Sequence, residues 1–271
     1  MLQHLSRRAR ARAGLKLSIA LMLCAAAVRA QPTPAPQPTP PAAGSPARVV
    51  LDFYQALRAR KFREAFAMSI YKPAIDALSA QEFDELRPEF EKMAAAVPEQ
   101  IELSGEQISG DEATVFARSG DDAAAQLDAI PLIRVGGVWI FGDRKNYQIV
   151  QSKGAAFFPE ARIDQHHREV EAVLLIVAQA EAAYAAQHGG AYADLAALVA
   201  SKPALKDDVE SDTLGYMFSI LLSRDAKAYA VEAVPARYGH TGRLSYYMDA
   251  TGHKSKDNNG KPFTPPGVKR P

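Results

Sequence analysis

Apolar side chains return every three or four positions at Val50, Phe53, Tyr54, Leu57, Phe62, Ala65 and Phe66, with Ser69 in phase and a break at Arg60-Lys61. This spacing predicts an amphipathic helix followed by a short second one. Phe83, Leu86, Phe90 and Met93 place a third helix over 80–96. The period then changes to two. "EQIELSGEQIS", "EATVFARS", "QLDAIPLIRV" and "VWIFG" read as strands, with Gly136-Gly137 as the two-residue turn between the last pair. Helices followed by a meander predict an α+β block.

A second block repeats that order. Val170, Val173, Leu174, Val177, Ala180 and Tyr184 mark one face of a long helix that begins near Pro159 and stops at Gly189-Gly190. "AYADLAALVAS" is a shorter helix with Asp194 as its cap. "LGYMFSILLS", "KAYAVEAVPA" and "RLSYYMD" then predict a three-stranded meander, divided by "RDA" and "RYGHTG" and closed by "DATGH". The chain of 271 residues is therefore read as α+β with two domains, over 48–155 and 156–260, and a disordered tail over 261–271.

The residues ahead of the first helix change this picture. Arg7, Arg8, Arg10, Arg12 and Lys16 precede the apolar run 17–28, and Val28-Arg29-Ala30 offers a small-residue cleavage pattern. This is a signal peptide over 1–30, too short in its apolar part for a permanent span. Leu21-Met22-Leu23 before Cys24 puts a bulky residue where a lipidation motif wants a small one, and Arg7-Arg8 lacks the hydrophobic residues of a twin-arginine signal. The expected location is periplasmic or secreted. Residues 31–47, "QPTPAPQPTPPAAGSPA", form a proline-rich spacer of extended geometry.

Removing the leader takes away six basic residues and no acid, so the formal charge of +1 becomes −5. A mildly acidic chain has no general attraction for nucleic acid or anionic lipid. The leader also holds the only cysteine, Cys24. The mature chain would then contain neither a disulfide nor a cysteine-bearing zinc site.

The polar stretch 238–260, "YGHTGRLSYYMDATGHKSKDNNG", raises the question of catalysis. His240, Ser245 and Asp249 carry the residue types of a hydrolytic triad, but no nucleophile elbow surrounds Ser245 and strand alternation separates neighbouring polar groups. Gly239, Gly242 and 249–252 read instead as turn chemistry. His166-His167 with Glu169 and Glu171 supplies two metal ligands at helical spacing and no third, so it reads as a solvated helix start. Asp257, Asn258 and Asn259 are rich in oxygen but fit no calcium-loop spacing. No cofactor and no metal is expected.

The pattern "VVLDFYQALRARKFREAFAM" followed by strands ending in "IPLIRVGGVWIFG" resembles exported members of the nuclear-transport-factor-like (cystatin-like) α+β group, in which a curved sheet wraps a helix. A cone of that kind implies a pocket lined by Tyr54, Phe116, Trp139 and Tyr147, residues that equally serve as core packing. No histidine lies between Gln31 and Asp164, whereas catalytic members of the group place an acid, a His or a Tyr pair in the pocket. "AQAEAAYAAQHGGAYADLAAL", "GYMFSI", "AYAVEAVPARYG" and "TGRLSYYMDATG" resemble the globular part of type IV pilins and type II secretion pseudopilins. Pilins carry an apolar half-helix of about twenty residues ahead of this part, and here "DRKNYQIVQSKGAAFFPEARIDQ" stands in its place. A version of that domain without the membrane half-helix is left with docking: to another exported protein, a secretion or pilus component, or the first domain of the same chain. The resulting expectation is a non-enzymatic interaction protein, with small-molecule binding or an enzyme in the first domain as the alternative.

Overall fold

Ser45 starts the first helix, its hydroxyl accepting the Arg48 N–H at 3.2 Å while Pro46 takes the first helical position, where no N–H is needed. The computed structural model describes residues 40–119, 126–211, 214–268 and 271. The expected leader, Cys24 and the spacer up to residue 39 lie outside the described residues. The last residues assigned to the spacer belong to the helix, because Ser45-Pro46 is a start signal rather than part of the proline repeat.

Helix α1 (Pro46–Arg58) buries Val50, Phe53, Ala56 and Leu57. It ends on Arg60, a non-glycine residue at φ 57°, with the Lys61 N–H returning to the Ala56 carbonyl and the Arg60 N–H to Leu57, both at 2.9 Å. Helices α2 (Phe62–Ala67) and α3 (Lys72–Asp76) follow. The single helix expected over 80–96 is two, α4 (Ala80–Glu85) and α5 (Arg87–Ala95). Pro88 breaks it: in mid-helix its ring would collide with the carbonyl of residue 84 and it has no N–H to donate, whereas near the start of α5 neither matters. Phe90 is fully buried, with Phe62, Phe66 and Phe83 at ring separations of 5.7, 4.9 and 5.3 Å.

Strands β1 (Ile101–Ser109), β2 (Glu112–Ser119), β3 (Gln126–Val135) and β4 (Val138–Phe141) form an antiparallel sheet in sequence order. Gly136 and Gly137 have φ of 59° and 82°, the two positive values that a tight two-residue hairpin requires. Residues paired across strands share a face. Val115 lies opposite Ile130, Ala113 opposite Leu132 and Arg134 opposite Trp139, and this face packs on Val50 of α1. Pro131 sits in an interior strand without breaking it. Its carbonyl accepts the Gly142 N–H at 2.8 Å, so its donor-less nitrogen points past the end of β4 and not at β2. The segment read as a connection is helical: α6 (Arg144–Lys153) starts where the Asp143 carboxylate accepts the Asn146 N–H at 2.8 Å.

The chain divides into two compact units between Ser152 and Lys153, a few residues before the break expected at 155/156. In the second, α7 (Phe157–Gln187) runs for 31 residues and buries Val170, Val173, Leu174, Val177 and Ala180. Asp194 caps α8 (Leu195–Ser201), its carboxylate accepting the Ala197 N–H at 2.8 Å, and α9 (Lys206–Val209) leads to the sheet. The meander has four strands, not three: β5 (Tyr216–Leu222), β6 (Tyr229–Pro235), β7 (Leu244–Asp249) and β8 (Gly252–Asp257). Tyr229, Val231, Ala233, Tyr246 and Met248 face α7. The alternate residues Ala230, Val234, Ser245 and Tyr247 are buried as well, so β6 and β7 are covered on both faces. Residues 261–268, expected as a disordered tail, follow a defined path: the Asn258 side-chain amide donates to the Lys261 and Pro262 carbonyls at 3.0 Å, and Pro265 is buried.

Candidate functional site

The four aromatics expected to line one pocket do not converge. Trp139 is 7% exposed and packed in the cluster of Val50, Val115 and Leu132, with the Arg134 guanidinium 4.3 Å from its ring centre. Tyr54 joins the same cluster, edge-on to Phe53 and Phe141 at 5.6 and 5.8 Å. Burial, and then the charge of Asp128, pushes its hydroxyl up to about 12, so Tyr54 is a neutral phenol. Phe116 pairs with Ala129 and so faces the other side of the sheet from Val115. Tyr147 lies on α6, its hydroxyl accepting from the Gln151 amide at 3.1 Å.

The first unit has an open cleft of about 380 Å³ elsewhere, between the α1–α2 turn and α4–α5. Arg60, Lys61, Arg63 and Arg87 line it. Three of these cations already hold carboxylates: Arg60 with Glu91 at 2.6 Å, Lys61 with Glu64 at 3.1 Å and Arg87 with Asp84 at 2.9 Å. Arg63 lies 4.0 Å over the Phe83 ring. The cleft is thus a nearly neutralised surface lattice, without a nucleophile beside a base.

In the second unit the stretch 238–260 is consumed by structure. Ser245 is fully buried on β7 and its hydroxyl has no hydrogen-bond partner, so neither His240 nor Asp249 activates it. The Asp249 carboxylate accepts the Thr251 N–H at 2.8 Å and its hydroxyl at 2.5 Å, closing the β7–β8 turn. Asp257 accepts the Tyr238 hydroxyl at 3.0 Å. Gly239 turns the chain at φ 77°, but Gly242 serves a different purpose from the turning expected of it. A Cβ there would lie 2.0 Å from the Tyr216 hydroxyl oxygen, which donates to the Leu244 carbonyl at 2.8 Å.

Two polar features of α7 depart from the sequence reading: a histidine pair expected in solvent, and a buried acid that the reading missed. His166 is 5% exposed, with Nδ1 2.8 Å from the Thr241 carbonyl oxygen, and His167 Nε2 accepts the N–H groups of Arg243 at 3.1 Å and Leu244 at 3.3 Å. The expectation of a solvated helix start is corrected by these contacts. Glu181 is fully buried: one carboxylate oxygen accepts the Ala193 N–H at 3.0 Å and the other has no partner. Its pKa is raised to about 7: burial is the largest cause, the Ala193 bond opposes it, and the charge of Asp194 adds to it. The signal for both was phase, since His166 and Glu181 continue the spacing of Ile163, Val170, Leu174 and Val177.

Among the described residues, no group of three or more His, Asp or Glu side chains is placed to hold a metal ion, and no helix is long and apolar enough to cross a membrane. No family model, curated protein or solved structure matches the chain.

Proposed function

We propose that this chain is an exported protein, periplasmic or secreted, that acts without catalysis by docking to another exported protein, such as a secretion or pilus component, through its second unit. One observation carries the reading. A 31-residue helix lies on an antiparallel meander in the element order of pilin and pseudopilin globular domains, while the polar helix α6, with Val150 as its buried residue, stands ahead of it where those proteins have an apolar half-helix. The contact surface in this reading is the 237–243 loop, which presents Tyr238 at 41% exposure.

Two measurements test it. The mature protein from its native host should begin at Gln31 by mass spectrometry, and an intact Met1 terminus in the cytosol would overturn the export part. A photo-crosslinking residue at Tyr238 should give an adduct with one exported protein that the same residue at Lys254 does not. Equal labelling at both positions, or ordered fibres from residues 153–271 under negative stain, would overturn the docking part.

A further inference from the structure

We propose that His166 and His167 form a latch on the 237–244 segment, in which His166 is a permanent hinge pin and His167 a catch that acid releases. Adjacent residues of a helix point about 100° apart, yet both imidazoles reach the same segment, 75 and 76 residues away in sequence. The chemistry of the partners fixes what each ring must be. The Thr241 carbonyl only accepts, so His166 must carry a proton on Nδ1, and it keeps this bond whether neutral or charged. The Arg243 and Leu244 amides only donate, so His167 Nε2 must offer a lone pair. An imidazolium has none. Protonation of His167 therefore removes two hydrogen bonds and sets an N–H against two N–H groups.

The surroundings delay that event but do not prevent it. Burial is the first cause holding His167 below the ordinary histidine range. On α7, Asp164 and Glu171 favour the charged ring and His166 opposes it, while from the segment itself Arg243 opposes it. From β7, the Tyr246 ring stands 6.4 Å away edge-on and its hydroxyl donates to the His167 carbonyl at 3.3 Å. With the folded pKa below the ordinary value of 6.5, the catch is complete above about pH 6.5 and is lost as the pH falls through the lowered value.

Release is local: Tyr216 still holds the Leu244 carbonyl and Asp257 the Tyr238 hydroxyl, while the loop is also bonded to itself. The Arg237 N–H donates to the Thr241 hydroxyl at 3.0 Å, the Gly239 N–H to the Gly242 carbonyl at 2.8 Å, and the Thr241 N–H to the Arg237 carbonyl at 2.9 Å. The inference stands without the docking reading. If that reading also holds, acid would loosen the base of the docking loop at Arg243 and Leu244.

Amide exchange of the full-length protein, each rate divided by its intrinsic rate at the same pH, tests the latch. Between pH 7.5 and 5.0 the protection of the Arg243 and Leu244 amides should fall at least tenfold, while that of Leu174 holds. His167→Gln offers an amide oxygen that does not titrate in this range, and it should abolish the pH dependence. His167→Ala should leave both amides unprotected at every pH. His166→Gln should leave the pH dependence in place. Unchanged protection in the wild type at pH 5.0, or the same loss in His167→Gln, would overturn the proposal. Should His167→Ala fail to fold, the comparison of wild type with His167→Gln still decides it.

Discussion

Replacing Glu181 by glutamine isolates the energetic cost of one buried carboxyl. In the folded chain this group is closed off from water with one oxygen unpartnered, and its pKa stands at about 7 against an ordinary 4.5. The unfolded chain loses the proton near 4.5 while the folded chain keeps it to about 7. Stability therefore falls as pH rises between those values, and the loss is complete above about 7. At about 1.4 kcal/mol per pH unit, the full loss is at most about 3–4 kcal/mol. Glutamine keeps an acceptor for the Ala193 N–H and carries no charge, but it buries an amide donor that costs about 1–2 kcal/mol if unpaired. Glu181→Gln should thus be more stable than the wild type by about 1–2 kcal/mol at pH 8, and no more stable than it at pH 5. Urea unfolding followed by far-ultraviolet circular dichroism at pH 5, 6, 7 and 8 is the appropriate assay. The single tryptophan, Trp139, lies in the first unit, so dichroism is used for the helix of the second. A difference between variant and wild type that stays constant from pH 5 to 8 would refute the buried-acid reasoning.

Gly242→Ala should lower the urea midpoint by an amount equivalent to about 2 kcal/mol or more, because the new methyl meets the Tyr216 hydroxyl and ring at 2.0–2.6 Å and breaks the bond to Leu244; a loss under about 0.5 kcal/mol would remove the close approach as the reason for glycine. Leu174→Asp places an unpaired carboxylate at a fully buried position in the α7 core. The cost, above about 5 kcal/mol, is comparable to a domain's whole stability, so helical dichroism should drop while Trp139 emission stays native; retained helicity would contradict the packing.

Periodicity carried the main outline of the fold because most elements bury one side. The α1 and α7 stripes, the Asp194 cap and the Gly136-Gly137 hairpin all express local rules that a sequence displays. Elements that bury little were invisible. Helix α6 buries only Val150 among its ten residues, and β8 exposes every side chain and is held chiefly by backbone pairing to β7. The break at Leu86 was legible in Pro88 but was outweighed by the apolar spacing around it. At the candidate sites, the phase of α7 held a signal for His166 and Glu181, yet the histidine pair reads as a solvated helix start and Glu181 draws no reading. What phase did not contain was the partner. Thr241, Arg243 and Leu244 meet the histidines only because the sheet returns the chain there, and residue spacing along a helix says nothing about such a return. The pocket aromatics failed for a related reason: Tyr54 and Trp139 share a packed cluster, and strand alternation sends Phe116 to the opposite face.

The two margins of the second sheet differ in a way that bears on how the protein behaves when crowded. Strand β5 is apolar, and the short helix α9 packs against it. Strand β8 is bare along its outer side, with an unpaired row of backbone donors and acceptors that could template another chain. Its sequence, "GHKSKD", sets Lys254 and Lys256 on that margin. A second copy aligning there would bring its lysines close to these, and like charges facing each other across a strand pair are unfavourable. The exposed margin is in this sense a guard against runaway fibre growth, and exchanging its two lysines for threonine would remove that guard and favour strand pairing between copies.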